Sequence, residues 1–178
     1  MPKVKKINRA GKDYPQFGIK KGDAHYVWSI KMQRGGLVRR SKTYPRPSQL
    51  TLSDYKVQAH QLNERIEDFD SDIISDAESF RDELLSEAES LRDEQQDKLD
   101  NMPEGLQQGS TGEQIQERID ALESFIGELE DLEFPDFEID EEAESTETPE
   151  PLNDEGQTEE EFSAEVIGKL KEISLDVY

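Results

Sequence analysis

The chain has 178 residues, 43 of them acidic and 21 basic, for a formal charge of -22. Apolar residues make up 32% and charged residues 36%, against about 45–50% and about 25% in an ordinary globular domain, which excludes one compact domain with a full-sized core. Without cysteine there are no disulfides, thiolate zinc sites or thiol nucleophiles. No run of about 18 apolar residues is present, and the N-terminus lacks the apolar stretch of a secretory signal, so the expected setting is the cytoplasm, with no membrane.

Charge is divided along the chain. Residues 1–50 hold 13 Lys+Arg and 2 Asp+Glu, a balance of +11, and residues 51–178 hold 8 and 41, a balance of -33. The first part suits a polyanion, and the second repels nucleic acid unless it imitates it.

Residues 1–13 are basic and polar and read as a flexible arm. Residues 14–50 read as a basic β-module. Phe17 and Ile19 suggest a short strand, Ala24 to Gln33 a second, and Val38 to Tyr44 a third, giving an antiparallel meander. With Gly35-Gly36 as a two-residue turn, Met32 faces Arg39, Lys31 faces Arg40 and Ser29 faces Lys42. Tyr26, Trp28, Ile30 and Met32 then form an apolar stripe of period two. The opposite face carries Lys31, Arg40 and Lys42, with Lys31 and Arg40 in repulsion. Together with Lys20, Lys21, Arg34, Arg39 and Arg46 they form a candidate phosphate-binding surface. Tyr26 and Trp28 read first as a core face; with Tyr44 they are also candidate base-stacking residues.

Residues 51–133 read as a helical hairpin. Thr51 and Asp54 are spaced as a capping box. Small or apolar positions then run from Tyr55 to Met102 in 13 steps over 47 residues, close to the helical period, without proline or glycine. The expectation is one helix over about 52–102, roughly 75 Å long. Pro103, Gly105 and Gly109 end it, Thr111 and Gln114 cap a return helix over about 112–133, and the return helix lies antiparallel on the later part of the first. One return helix does not cover the whole stripe. Phe80, Leu84, Leu91, Ile119, Leu122 and Ile126 are therefore expected at a homodimer interface.

Residues 134–157 are acidic and proline-containing and read as a disordered linker. Residues 158–178 carry an amphipathic stripe, Phe162, Val166, Leu170 and Ile173, that docks on the body or recruits a protein partner. Asp68-Phe69-Asp70-Ser71-Asp72 imitates the start of a calcium loop, but Ile73 and Ser79 stand where glycine and glutamate are required. No metal site, cofactor motif or catalytic constellation is present in the sequence, with only His25 and His60 available, and no enzymatic activity is expected. The fold class expected is α+β, mainly α.

Ser41-Lys42-Thr43-Tyr44-Pro45-Arg46-Pro47-Ser48-Gln49-Leu50-Thr51, together with Asn101-Met102-Pro103-Glu104-Gly105-Leu106, Thr111-Gly112-Glu113 and Arg118-Ile119-Asp120-Ala121-Leu122-Glu123, resembles segments of uncharacterised phage and prophage proteins. That group has no established activity, so the resemblance carries over no functional residues. It implies a phage setting, in the host cytoplasm. A basic strand hairpin before a helix is also similar to the arm-binding domain of phage integrases, without the catalytic residues. Three functions follow as expectations. The first is a non-enzymatic accessory protein that binds nucleic acid through the basic hairpin, dimerises through its helices, and uses its acidic tail to regulate binding or recruit a partner. The second is an acidic DNA mimic or interaction factor whose helices occupy a host nuclease or defence protein. The third is a structural phage component.

Overall fold

A computed structural model describes residues 2–134 and 159–177. The architecture is α+β and mainly helical, with a three-stranded antiparallel meander at the N-terminus. The chain divides into two compact units, Met1–Gln61 and Leu62–Tyr178.

In the first unit, strands β1 (Lys5–Ile7), β2 (His25–Met32) and β3 (Gly35–Ser41) form a sheet in the order β1-β2-β3. The first strand lies inside the segment expected to be a flexible arm: Lys5 pairs with Val27, Lys6 with Tyr26 and Ile7 with His25. Phe17 and Ile19 do not form a strand. Pro15–Phe17 is a 3-10 turn closed by Gly18 at φ 63°, with a single bridge between Tyr14 and Ile19. Proline at the start of this turn pre-sets φ, and glycine accepts the left-handed residue that ends it. The loop is tied by backbone hydrogen bonds of 2.8 Å from Ala10 N–H to the Asp23 carbonyl and 2.9 Å from Gly22 N–H to the Ala10 carbonyl. Ala10 and Ile19 are buried beneath it.

The β2–β3 register differs from the expected one. Met32 pairs with Gly35, Lys31 with Gly36, Ser29 with Val38, Trp28 with Arg39 and Val27 with Arg40. Gln33 and Arg34 make the turn, and neither has positive φ, so the primed turns that Gly-Gly would serve are not used. Gly35, at φ 99°, instead supplies the left-handed residue that follows an ordinary turn in a bulged hairpin. Gly36 lies close to Ser29: a Cβ there would come within 2.8 Å of Ser29 Oγ, which would have to rotate away. The partners of each residue change, but within β2 and β3 the two faces keep their membership, since the shift preserves the period of two.

Trp28 is buried, and its indole N–H donates to the Gln49 carbonyl at 3.1 Å. The covering segment is a 3-10 turn, Pro47–Leu50, whose Gln49 side chain accepts a hydrogen bond from Arg46 N–H at 3.2 Å. Pro45 is also fully buried.

Helix α1 (Asp54–Asp68) starts at Asp54, so the cap position is Ser53 rather than Thr51. The Thr51 hydroxyl accepts from Ser53 N–H at 3.2 Å. Tyr55 and Ala59, in its first half, are buried. The unit boundary falls within this helix.

The expected 50-residue helix is two helices, α1 and α2 (Ile74–Asp100). The chain leaves the helix over residues 69–73, where Ser71 Oγ accepts from Ile73 N–H at 3.2 Å and donates to Asp76 at 2.8 Å. Short polar side chains offer the backbone alternative hydrogen bonds, and Asp-Ser-Asp uses them here against the apolar period. The break turns the end of α1 back beside α2. Phe69 stacks on Phe80 with centroids 4.5 Å apart, and Arg65 reaches Glu83 at 2.7 Å and Glu87 at 2.6 Å. Residues 69–73 are thus non-helical, but Ile73 and Ser79 still stand where a calcium loop needs glycine and glutamate. Among the described residues no cluster of three or more His, Asp or Glu is placed to hold a metal.

A one-turn helix, α3 (Glu104–Gln107), leads into α4 (Ser110–Glu130). The Gln107 amide donates at 2.9 Å to both the Leu99 and Met102 carbonyls, satisfying the end of α2. Gly112 sits against the Gln107 backbone, where a Cβ would run into its carbonyl. Helix α4 begins with Gly109 at the cap and no side-chain cap, ahead of the expected Thr111 box.

Helix α5 (Glu159–Glu172) packs against α2, as α4 does. Its Val166, Ile167 and Leu170 are buried, as are Ile173 and Leu175 beyond it. Asn63 clamps this end: its amide donates to the Leu175 carbonyl and its Oδ1 accepts from Leu175 N–H, both at 2.8 Å. The C-terminal amphipathic segment therefore docks on the body.

This packing removes the physical reason for a dimer. Leu84, Leu91, Ile119, Leu122 and Ile126 are buried within one chain, and Phe80 is covered by Phe69. A single return helix would have left part of that stripe wet; the end of α1 and helix α5 supply the missing cover. The linker expected over 134–157 lies, apart from its first residue, outside the described residues.

Candidate nucleic-acid interface

The sheet gives each basic side chain an address. The face of β2 that carries His25, Val27, Ser29 and Lys31 aligns with Lys5 and Ile7 of β1 and with Arg40, Val38 and Gly36 of β3. The other face carries Tyr26, Trp28, Ile30 and Met32, beside Lys6 of β1 and Ser41, Arg39 and Leu37 of β3.

The eight expected cations fall into groups. Lys31 is exposed opposite Gly36, Arg34 is exposed in the turn, and Arg39 is exposed on the Trp28 face. None of these three has an ion-pair partner among the described residues. Lys31 and Arg40 are not opposite each other, so the expected repulsion is absent. Arg40 is half-buried and structural: Nη1 lies 3.2 Å from His25 Nε2, and its guanidinium stacks 4.1 Å from the Tyr14 ring centroid. With Arg40 donating to Nε2, the His25 proton sits on Nδ1, which faces the Asp23 carbonyl at 3.4 Å. Lys20 and Lys21 are exposed on the loop, and Arg46 is exposed ahead of the Pro47 turn.

The two acids of residues 1–50 serve the backbone. Asp13 accepts from Lys21 N–H at 2.6 Å and Asp23 accepts from Lys20 N–H at 2.9 Å. The Lys20 N–H holds the Asp23 carboxyl below its usual range, with the charge of Lys42, 3.7 Å away, adding to the effect. The carboxylates thus fix the loop and neutralise little of the module's charge.

Of the candidate stacking residues, Trp28 is withdrawn by its burial. Tyr44 is 63% exposed and meets Tyr26 edge-on, with centroids 5.4 Å apart. Sequence reasoning missed Lys5 and Lys6, which β1 brings onto the sheet; Lys6 lies 6.0 Å from the Tyr26 centroid. Val4 and Ile7 bracket these lysines, a signal too short to mark a strand without its partner.

The second unit presents the opposite sign. Among its cations, Arg81 pairs with Glu78 and Asp82, Arg92 with Asp93, and Lys98 with Glu94. A groove beside α4 is lined by Glu117, Asp120, Glu128 and Asp176. No helix of the described residues is long and apolar enough to cross a membrane. No protein-family profile, curated protein or solved structure matches the chain.

Proposed function

We propose that the chain is a non-enzymatic nucleic-acid-binding protein that works through its basic sheet module. The observation that carries this reading is the coincidence of charge and structure: the +11 segment lies within one compact unit, and both its acids are engaged by backbone amides. Cations left exposed and unpaired on a folded surface keep their full attraction for phosphates. Lys31, Arg34 and Arg39 make the contacts, with Lys20, Lys21 and Arg46 around them, and Arg40 holds the fold beneath. The phage-like segments suggest an accessory role in a phage or prophage, in the host cytoplasm. The acidic sequence of residues 134–157 then competes with the polyanion for the same cations or recruits a partner. Nothing in this reading requires a second copy.

The test is titration of the full chain with a labelled 20-base-pair duplex and a labelled 20-nucleotide strand at several salt concentrations. Binding should weaken steeply with salt, and changing both Lys31 and Arg39 to Gln should flatten the slope by about 1.4–1.8 units, two phosphate contacts' worth. Absence of binding, or binding indifferent to salt, overturns the proposal.

The carboxylates of α2 and α4 favour one second reading, in which the helical unit occupies a basic protein site. A partner that stays bound after nuclease treatment, while the titrations show no nucleic-acid binding, would favour it.

A further inference from the structure

The sheet face that holds Tyr26 ends in a feature the packing does not explain. Tyr44 is the most exposed large apolar side chain among the described residues, yet it adjoins one of the fully buried ones. It precedes Pro45, which is fully buried, and a residue before proline is confined to extended conformations. Pro45 therefore anchors the segment and Tyr44 stands out from it. Its only ring contact among the described residues is the edge-on one with Tyr26, which leaves a ring face open. An aromatic ring left in water forgoes the burial that normally justifies it.

Cations lie on the same sheet face as the ring and next to it in the chain. Lys6 sits across the strand pair from Tyr26, near its ring. Arg39 is on the same sheet face, two residues along β3 from Ser41, the residue that pairs with Tyr26. Arg46 is two residues beyond Tyr44 and exposed. An open aromatic face bordered by cations is the arrangement that binds a base and its phosphate together. A duplex keeps its bases stacked inside and cannot offer one to such a ring, whereas a single strand can.

We propose that Tyr44, supported by Tyr26 and Lys6, is a base-stacking site, and that the ligand of the basic module is single-stranded nucleic acid. This rests on the nucleic-acid reading above and narrows it. Trp28 takes no part, because it is buried against the Gln49 carbonyl.

The experiment compares the full chain with Tyr44→Ala, Tyr44→Phe and Lys6→Gln, using a labelled 12-nucleotide oligothymidine and a 12-base-pair duplex. Thermal melts establish that each variant is folded. The strand should bind more tightly than the duplex. Tyr44→Ala should lose about 5- to 150-fold for the strand, the range for one stacked base, with its salt slope unchanged. Tyr44→Phe keeps the ring and should stay within a few-fold of the parent. Lys6→Gln should flatten the slope by about 0.7. Equal strand affinity in Tyr44→Ala and the parent, or tighter binding of the duplex, overturns the stacking site while leaving the phosphate surface in place. No binding of either probe by the parent overturns both proposals.

Discussion

Gln95 occupies a position on α2 that the apolar period assigns to the core, between Leu91 and Leu99. It is fully buried, and neither its amide nitrogen nor its carbonyl oxygen has a hydrogen-bond partner among the described residues. An unsatisfied buried polar group costs about 1–3 kcal/mol, because it has left water and gained nothing. Leucine has nearly the same helix propensity and one heavy atom fewer, so Gln95→Leu should neither unwind α2 nor overpack the core. The expected result is a gain of about 1–3 kcal/mol in the stability of the helical unit. Urea melts followed by far-ultraviolet circular dichroism report that unit, since helices α2, α4 and α5 lie in it. The midpoint should rise with the slope unchanged. Gln95→Ala serves as the comparison, since it removes the amide but leaves a cavity, and should gain less or lose stability. If Gln95→Leu is destabilising by 1 kcal/mol or more (about the net worth of a hydrogen bond), the amide is satisfied and the reasoning is wrong.

Trp28→Ala removes the buried indole and its bond to Gln49 and should cost the sheet module about 3–5 kcal/mol, read by near-ultraviolet circular dichroism and thermal melts; a melt unchanged from the parent would return Trp28 to the surface. Leu84→Asp places a charge where the side chain is fully buried and should unfold the helical unit by several kcal/mol. The parent's urea midpoint should not depend on protein concentration, whereas a midpoint that rises with concentration would put Leu84 at a dimer interface after all. Asp23 has its folded-state value below the ordinary 3.8, so its contribution is complete at pH well above 3.8 and is lost as pH falls through the folded value. Asp23→Asn should therefore lower the melting temperature of the module near neutral pH, by a difference that shrinks as pH falls below 3.8, and a constant difference across that range would contradict the linkage. Lys31→Gln should leave the melt unchanged, while Arg40→Gln should lower it by about 1–3 kcal/mol through the loss of the His25 and Tyr14 contacts; equal melts for the two would show that Arg40 is not a structural cation.

Period and composition were enough for the fold class, for the β2–β3 hairpin as a pair of strands and for the return helix, and they left docking of the last helix as one of two alternatives. They failed where local chemistry competes with period. The apolar stripe runs unbroken through Phe69 and Ile73, yet Ser71 and its flanking aspartates take the backbone out of the helix. The cluster Asp70-Ser71-Asp72 carried that signal, since such residues favour caps and turns. The hairpin shows the same kind of failure. Gly35-Gly36 signals a turn, but one glycine serves the residue after the turn and the other a close approach to Ser29. The site was legible as a set of cations and not as an arrangement, because register decides which of them meet. Strand β1 was not legible at all. Three residues have no period of their own, and only the β2 edge makes them a strand.

The missing register separates cations that hold the fold from cations that do not. Arg40 had the same standing in the sequence as Lys31 and Arg39, as one more positive charge in a basic stretch. Its placement opposite Val27, within reach of His25 and over Tyr14, turns it into a packing residue whose charge is already committed. Lys42 is partly committed to Asp23. Lys31, Arg34 and Arg39 have no such duties, and a small sheet does not need three exposed cations for its own stability, because their mutual repulsion works against compactness. The energetic cost of keeping them is small at physiological ionic strength, where exposed charges farther apart than about 8 Å are largely screened. Those three are therefore the cations on which the proposed polyanion contact depends, and Arg40 is not.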